Sequence, residues 1–382
     1  MPWLETDVMK QRVKFVLDYE SGLYTMSELC ERFGISRETG YKMWARYEGD
    51  GLAGLEERSR APKSCSHKTA SAVEREIIKA RRAHRTWGPV TLLGYLKRTQ
   101  PQLGLPAPST AGDILKRAGL VQPRRRRRQV RHPGRPYVPM ASPNDVWTAD
   151  FKGQFRMRDG RYCYPLTVLD GYSRYLFACR ARYSTEGGGA RSVFKRLFCE
   201  FGLPLQILTD NGSPFASTGL GGLSKLSVWW IKLGIHPIRI EPGQPQQNGR
   251  HERMHRTLKA DATRPACANI GAQQRAFERF RCCYNDERPH RSLHGQVPAS
   301  LYERSPRPFP QREPPTRYPA HFEVRKVCAN GCVKWHDRFV FISHVLTAEP
   351  LGFEPIDDGV WSIYFGPVLL ARFDERDHRV VG

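Results

Sequence analysis

The chain has 382 residues, of which 40% are hydrophobic, so it is long enough to build folded cores in two or three domains. Its 61 lysines and arginines exceed its 38 acidic residues, and the formal net charge of +23 favours a polyanion such as nucleic acid as partner. No run of about 18 to 20 apolar residues is present, and the N-terminus lacks the apolar centre of a signal peptide. We therefore expect a cytoplasmic protein rather than a membrane or secreted one.

The ten cysteines show no repeated CxxC pair. In a chain of this length they are expected to be reduced and mostly buried. Cys328 and Cys332 flank Ala-Asn-Gly, and this spacing favours a hairpin turn over a zinc site.

Residues 8 to 48 show a helical period of apolar residues that is interrupted at Gly34. Ser36 follows and can cap a second helix, SRETGYKMWARY. Helix, glycine turn and capped helix form the helix-turn-helix pattern, so residues 1–55 are predicted to be a DNA-binding domain. An αα-hairpin that packs against another element would show the same pattern. The exposed face of the second helix supplies the candidate DNA contacts Arg37, Tyr41 and Lys42.

A second helix-turn-helix or winged-helix-like domain is predicted at residues 68–122, where helical periods run from Val73 to His84 and again from Pro108. The segment 123–137 follows, and five like charges between prolines predict that it is a linker. It is either a solvated spacer or a tether along DNA phosphates, and the helical modules before it favour the tether. Its consecutive basic residues are Arg124, Arg125, Arg126, Arg127 and Arg128.

From Asn144 the pattern changes to short β-rich runs that are separated by Asp159-Gly160 and Asp170-Gly171. Asp-Gly between such runs is typical of hairpin turns, which predicts a three-stranded antiparallel meander and assigns Asp170 to its turn. A helix with an apolar face follows at 193–201, and then come the strand LQILT, a helix at 226–233 and the strand IHPIRI. This order indicates an α/β core with a mixed sheet and crossover helices.

Three acidic residues occupy positions where an α/β core places functional groups. Asp150 lies within the first strand, Asp210 at the carboxyl end of a later strand and Glu252 in the first turns of a helix. Because carboxyl ends of strands and nearby helix starts share one region of such a sheet, the three can meet at one point. Carboxylates held together bind a hard cation such as Mg²⁺ along with substrate phosphates. Taken singly, Asp210 would also suit an Asx turn, and Glu252 would suit the helix dipole.

The stretches WTADFKG, LTDNGSPF and PQQNGRHERMHRTLK resemble, in this order, the three signature segments of the DDE integrase core of retroviral integrases and bacterial insertion-sequence transposases. YNDERPHRSLHGQVPASLY resembles the end of that core in the bacterial members, and the resemblance covers residues 138–305. It implies an RNase H-like fold, Mg²⁺ or Mn²⁺, and catalytic carboxylate ligands at Asp150, Asp210 and Glu252. Two ions are expected, with Asp150 bridging them.

The segment around Glu252 also supplies candidate DNA contacts. Arg256 and Lys259 follow the acid at i+4 and i+7 and therefore share its face of the helix. The resemblance implies that such basic residues touch the terminal nucleotides of the DNA. Asn248, at the start of the same segment, is added to the candidates.

Two features depart from the family pattern. Between Asp210 and Glu252 lie 41 residues, somewhat more than the family's usual interval. The surplus is expected in the glycine-rich stretch ASTGLGGLSK, a loop that can lengthen without moving the strands. The HHCC zinc module of retroviral integrases has no counterpart, and the predicted helix-turn-helix units stand in its place, as in the bacterial relatives.

Two other functions account for some of the same residues. HERMH, from His251 to His255, matches the HExxH motif of zinc peptidases, with Glu252 as general base. That hypothesis leaves Asp150 and Asp210 unexplained. A DNA-binding regulator with an inactive integrase-like core is the second alternative, and the presence of all three acids argues against it.

Residues 316–382 contain short alternating runs with glycine turns and are predicted to form a small β-barrel. The expected fold is multidomain, with N-terminal all-α helix-turn-helix modules, a central α/β RNase H-like core and the C-terminal barrel. The expected function is a DNA transposase that cleaves insertion-sequence ends and transfers the 3′-OH into target DNA. Its expected partners are double-stranded DNA, as terminal inverted repeats and as target, and further copies of itself at the bacterial nucleoid.

Changing all five residues of Arg124–Arg128 to Gln tests the tether. We expect weaker binding to any duplex and a flatter dependence of log K on log salt, by roughly one slope unit for each phosphate that the protein no longer neutralises. Binding measured over a salt series checks this. An unchanged slope would assign the run to solvent.

Overall fold

The computed structural model describes residues 7–58, 68–121 and 138–381. The chain divides into two compact units, with the boundary between Lys68 and Thr69. The predicted linker 123–137, with the run Arg124–Arg128, lies outside the described residues. Among the helices of the described ranges, none is long and apolar enough to cross a membrane.

The first unit consists of three helices and a short 3-10 turn. Thr25 caps the second helix in a capping box with Glu28, Gly34 ends that helix with φ 63°, and Ser36 caps the third by accepting from the Thr39 N–H. Gly40 allows the second and third helices to cross closely, because a Cβ there would lie 2.6 Å from the Cys30 sulfur. The predicted helix, turn and capped helix are confirmed. The helices are α1 (Val8–Glu20), α2 (Met26–Phe33) and α3 (Arg37–Asp50).

The second unit begins with a helical module, residues 69–121, made of α4 (Ser71–Ala83), α5 (Pro89–Thr99) and α6 (Pro108–Arg117). Proline opens both α5 and α6, a position where its missing N–H costs no helix hydrogen bond. The module contacts the rest of the unit: Arg98 donates to the Asp286 carbonyl at 2.6 Å, and Gly94 lies against Pro289.

The central sheet has five strands in the order β5-β4-β1-β6-β7. β1, β4 and β5 pair antiparallel, which confirms the predicted meander, and β6 and β7 run parallel to β1. β2 and β3 pair separately as a small hairpin. The strands are β1 (Val146–Phe151), β2 (Phe155–Arg156), β3 (Tyr162–Cys163), β4 (Leu166–Asp170), β5 (Leu176–Arg180), β6 (Gln206–Thr209) and β7 (His236–Arg239).

Helices cover both faces of this sheet, so each face has its own hydrophobic core. Trp147 and Ala149 of β1 pack with α7 (Gly187–Phe201) and α8 (Lys225–Lys232). Leu169 of β4 packs on the other face with α9 (Gly249–Ala262) and α10 (Ile270–Cys282). The apolar members of α9 in that second core are Met254 and Leu258.

The C-terminal region forms a five-stranded antiparallel sheet in the order β14-β13-β12-β11-β8 and a separate two-stranded ladder of β9 and β10. Among the described strands the sheet ends at β8 and β14, so the predicted closed barrel is not confirmed. Cys328 donates its N–H to the Cys332 carbonyl at 2.7 Å, as the predicted hairpin turn requires. The strands are β8 (Glu323–Lys326), β9 (Cys332–Trp335), β10 (Arg338–Phe341), β11 (Pro350–Asp357), β12 (Val360–Phe365), β13 (Val368–Asp374) and β14 (Arg379–Val381).

This C-terminal sheet shares a hydrophobic core with α8. Val228 and Ile231 of α8 pack with residues of β9, β11 and β12, and Lys232 forms an ion pair with Glu349 at 2.9 Å. The glycine-rich loop before α8 contributes as well, since a Cβ on Gly221 would lie 2.8 Å from Leu370. The glycine-rich loop between Asp210 and Glu252 therefore packs against the C-terminal sheet.

Asp170 ends β4 and is fully buried. Its Oδ1 accepts from the Asn144 N–H at 2.8 Å, and its Oδ2 accepts from the N–H and the hydroxyl of Ser173, both at 2.7 Å. The turn role predicted from the sequence is confirmed.

Asp170→Ala would leave two buried backbone N–H groups without an acceptor. We expect a loss of about 2 to 4 kcal/mol in the free energy of unfolding. Urea unfolding followed by tryptophan fluorescence measures it. Asp159→Ala is the matched control, because this aspartate belongs to the exposed Asp-Gly turn, and equal effects of the two changes would contradict the assignment.

Candidate active site

The register of β1 against β6 brings two of the three predicted acids together. The parallel pairing aligns Thr148 with Leu208, so Asp150 and Asp210, each two residues further on, lie at the same end of adjacent strands. Side chains alternate along a strand. Since Trp147 and Ala149 enter the core under α7 and α8, Asp150 faces the side covered by α9.

Glu252 lies in the first turn of α9 and is exposed. The helix turns its apolar residues toward the sheet, and Arg256 and Lys259 are exposed like the acid, as the spacing predicts. The outward face of α9 thus combines one carboxylate with two cations.

The charges of the three acids influence one another. Burial raises the pKa of Asp150 to about 7, and the negative charges of Asp210 and Glu252 contribute to the rise while Lys152 opposes it. Burial also raises the pKa of Asp210, against the hydrogen bond from the Gly212 N–H. The ionised acids therefore repel one another in a partly desolvated place, where a cation would relieve the repulsion.

Each residue of the Asp-Asn-Gly turn after β6 has its own structural role. Asp210 Oδ1 accepts from the Gly212 N–H at 3.2 Å, so the Asx turn considered from the sequence is present as well. Asn211 donates to the Ile240 carbonyl at 2.8 Å, which ties the turn to the segment after β7. A Cβ on Gly212 would lie 3.1 Å from Asp210 Oδ2, so glycine leaves room for the carboxylate.

A buried network of histidine and threonine side chains lies beneath Asp150. His251 contacts Thr148 through Nδ1 and Thr167 through Nε2, both at 2.7 Å. His255 contacts the same Thr167 hydroxyl through Nε2 at 2.7 Å, and its Nδ1 lies 3.6 Å from Asp150 Oδ2. The β1–β4 register explains the convergence, because Thr167 pairs directly with Asp150.

The single hydrogen of the Thr167 hydroxyl determines which ring nitrogen of His251 and of His255 is protonated. It is donated to the Asp150 carbonyl at 3.0 Å, so both histidines must donate their Nε2–H to the Thr167 oxygen. Thr148 then donates to Nδ1 of His251. Burial also favours the neutral form of both rings, because it lowers the pKa of His251 to about 3 and that of His255 to about 2.

This network contradicts the zinc-peptidase hypothesis. One ligand atom each of Asp150, His251 and His255 lies within 4.8 Å of the others, but both ring nitrogens of His251 already bond to threonines. Glu252 is exposed while the two histidines are buried, so the acid does not share their side of the helix.

The predicted DNA contacts differ in accessibility. Arg37, Tyr41 and Lys42 are all exposed on α3. Asn248 is only 5% exposed, so its contact with DNA stays a prediction. Arg250 is half-buried and donates to the Gly171 carbonyl at 2.5 Å, so it supports the core.

Sequence reasoning missed several residues of this site. Lys152 is one of them: burial lowers its pKa, as do the charges of Lys259 and Arg264, while Asp150 raises it. The sequence could have indicated Lys152 from its position two residues after Asp150, because Thr148, Asp150 and Lys152 alternate with the core residues of β1. The role of Thr167 depends on strand register and had no local signal.

Two family comparisons cover this region. Residues 141–245 match the family described as Integrase core domain, and residues 233–298 match a second family of the same description. Residues 11–63 match a Helix-turn-helix domain, and residues 39–115 match a Homeodomain-like domain.

Similar proteins include products of insertion elements and of retroviruses. An uncharacterized 39.2 kDa protein of insertion element IS476 from Xanthomonas euvesicatoria is 29% identical over 47% of this chain and 50% of its own length. A 31.7 kDa protein of IS407 from Burkholderia multivorans is 27% identical over 49% of this chain and 66% of its own length. The Gag-Pol polyprotein of baboon endogenous virus is 32% identical over 32% of this chain and 7% of its length. The chain thus spans at most about two thirds of each of these relatives.

Solved structures with detectable similarity include the HTLV-2 integrase catalytic core domain in complex with magnesium, at 17% identity and a TM-score of 0.35 over 43% of this chain and all of that one. The simian T-cell lymphotropic virus intasome in complex with a PP2A regulatory subunit aligns at 18% identity and a TM-score of 0.38, over 77% of this chain and 98% of that one. The family matches, rather than these alignments, carry the assignment. Residues 141–298 of this chain are thus spanned by the two integrase core domain matches, and the helix-turn-helix and homeodomain-like matches lie N-terminal to them.

Proposed function

We propose that the protein is a DNA transposase that cleaves DNA at the ends of its mobile element and joins the freed 3′-OH to target DNA. The observation that supports this proposal is that the charges of Asp210 and Glu252 both act on the buried Asp150, and that the exposed cations Arg256 and Lys259 lie on the same helix as Glu252. The insertion-element relatives and the integrase core match support it. The alternative, a DNA-binding regulator with an inactive core, does not need the three acids.

The residues fit hard divalent cations. The three side chains offer only carboxylate oxygens, the donors that Mg²⁺ and Mn²⁺ prefer, and the charge on Asp150 is unfavourable without a cation beside it. We propose that Asp150, Asp210 and Glu252 would together hold two such ions. Bound there, the ions would supply a nucleophile at neutral pH and stabilise the charge that develops on the attacked phosphate.

The chain's own residues orient the carboxylates and hold the DNA. The Thr167 hydroxyl fixes the backbone at Asp150, and the buried His255 limits how its carboxylate can turn. The Asx turn fixes Asp210. Arg256, Lys259 and Lys152 surround the site with positive charge that attracts phosphate and aligns the strand.

The flanking segments complete the proposal. Residues 1–55 and 68–122 would recognise the terminal inverted repeats, with Arg37, Tyr41 and Lys42 toward the groove, and 123–137 would track phosphates. The catalytic core would span 138–305, with 316–382 as an accessory domain. Cutting and joining at two DNA ends favours a homo-oligomer in the DNA complex.

Glu252→Gln tests the site because it keeps the size and helix propensity of the side chain but removes the charge that a hard cation requires. We expect cleavage and joining of the element's ends in Mg²⁺ to fall by more than about 100-fold, the scale on which the loss of one electrostatic group acts. Gel-shift binding to the same ends should hold or tighten slightly, because an acid is removed from a basic surface. Asp150→Asn and Asp210→Asn should behave alike, and double changes should add little.

Glu200→Gln is the matched control, since it changes an exposed glutamate on α7, across the sheet from α9. Retained cleavage by Glu252→Gln with intact binding would remove this residue from the site. Binding without any Mg²⁺-dependent nicking by the unaltered protein would favour the regulator.

Asp150→Asn makes a separate prediction about stability in metal-free buffer. The pKa of Asp150 is about 7 in the folded protein against its ordinary value of 3.8, so the folded state holds a proton that the unfolded state releases. The contribution of Asp150 to the free energy of unfolding should therefore fall as pH rises from about 4 to about 7, while the buried neutral His251 and His255 contribute a rise over the same range, and Asp150→Asn should remove only the falling contribution. Urea unfolding over this range in EDTA measures it. In a separate series without EDTA, Mn²⁺ should stabilise the unaltered protein at pH 7. Asp113→Asn, a change on α6 far from the three acids in sequence, is the control, and equal pH slopes in all three proteins would contradict the prediction.

A further inference from the structure

Three potential ligands of a different kind meet where the helical module 69–121 contacts α10 and the turn after it. The Cys283 sulfur lies 3.9 Å from Nδ1 of His84, and Nε2 of His84 lies 3.9 Å from a carboxylate oxygen of Glu287. One ligand atom from each residue lies within 4.8 Å of the other two. The cluster joins segments that are 199 positions apart in the chain.

The fold holds each of the three side chains in place. His84 ends α4, and its ring stacks on Trp87 with centroids 3.7 Å apart and planes within 9°. Cys283 and Glu287 lie in a single π-helical turn, closed by the bond from the Arg288 N–H to the Cys283 carbonyl at 2.9 Å. A π-helical turn has a wider circuit than an α-helical one, so residues four apart come onto one side.

Sulfur, imidazole nitrogen and carboxylate oxygen together suit zinc or a similar transition metal rather than Mg²⁺. Zinc–sulfur and zinc–nitrogen bonds of about 2.3 and 2.0 to 2.1 Å place the two donors about 3.6 Å apart in a tetrahedral site. The 3.9 Å between the Cys283 sulfur and Nδ1 of His84 is close to that separation, so Nδ1 is the ring nitrogen that would bind the ion.

The charges around the cluster favour a cation. Burial lowers the pKa of His84, so the neutral ring has a lone pair to offer, and the carboxylates of Glu287 and Asp261 oppose that shift. Burial raises the pKa of the Cys283 thiol to about 12, with Glu287 and Asp261 adding to the shift and Arg288 opposing it. Arg288 itself lies 3.9 Å from Asp261, which offsets its charge.

We propose that His84, Cys283 and Glu287 bind one zinc-like ion that fastens the helical module to the core, with water as the fourth ligand. Binding transfers the thiol proton of Cys283 to solvent and forms the metal–thiolate bond. The ion would hold the module in a fixed place beside α10. The inference does not depend on the proposed function, because it concerns metal binding alone.

Cobalt(II) titration of the full-length protein, after removal of metals with a chelator, tests this site directly. Cobalt bound to a thiolate gives a charge-transfer absorption that oxygen ligands cannot give, so the carboxylate site makes no contribution. We expect saturation at one equivalent, release of one thiol proton and loss of the band on adding zinc.

Cys283→Ser and His84→Phe should abolish the band, and phenylalanine keeps the stacking on Trp87 while removing the ligand nitrogen. Cys282→Ser, the adjacent exposed cysteine, and Cys332→Ser should retain it. Unfolding curves in EDTA show whether each variant folds, and zinc should raise the midpoint of the unaltered protein but not that of Cys283→Ser. A missing band in the unaltered protein, or one retained in folded Cys283→Ser, would overturn the proposal.

Discussion

The alignment of β1 with β6 is the constraint on which the rest of the site depends. It carries Asp150 and Asp210 to the same end of neighbouring strands, where burial raises the pKa of both acids and the charge of Asp210 adds to the shift at Asp150. A fold that served only to hold its own sheet together would gain nothing from this placement. Under the proposed function, a cation and the phosphates of a substrate would offset this unfavourable charge, in line with the usual relation between local destabilisation and function.

The packing of α9 on the sheet determines which way Glu252 faces. Met254 and Leu258 pack in the hydrophobic core, while His251 and His255 face the sheet and hydrogen-bond to hydroxyl groups on β1 and β4. Buried polar groups cost stability unless they are paired, and paired ones accept few alternative arrangements. The network therefore sets the rotation of α9, and that rotation leaves Glu252, Arg256 and Lys259 on the outward face.

The second unit extends beyond the sheet and its helices. The helical module 69–121 meets α10 and the π-helical turn through Arg98 and the His84 cluster, and the C-terminal sheet shares a hydrophobic core with α8. The glycine-rich loop between Asp210 and Glu252 is part of that second contact through Gly221. This loop thus has a structural partner, and both flanking regions are placed against the core that carries the acids.

The sequence by itself determined the capped helices of the first unit, the meander, the turn role of Asp170 and the identity of the three acids as candidates. These depend on periods, caps and turns within a few residues of one another. It did not anticipate the burial of Asn248, and the barrel it predicted is not confirmed, because burial and sheet closure depend on distant segments. Only the tertiary structure brought Thr167 to His251 across 84 positions and Cys283 to His84 across 199. Contacts of that range follow from strand register and from the docking of helices, and neither leaves a local pattern in the chain.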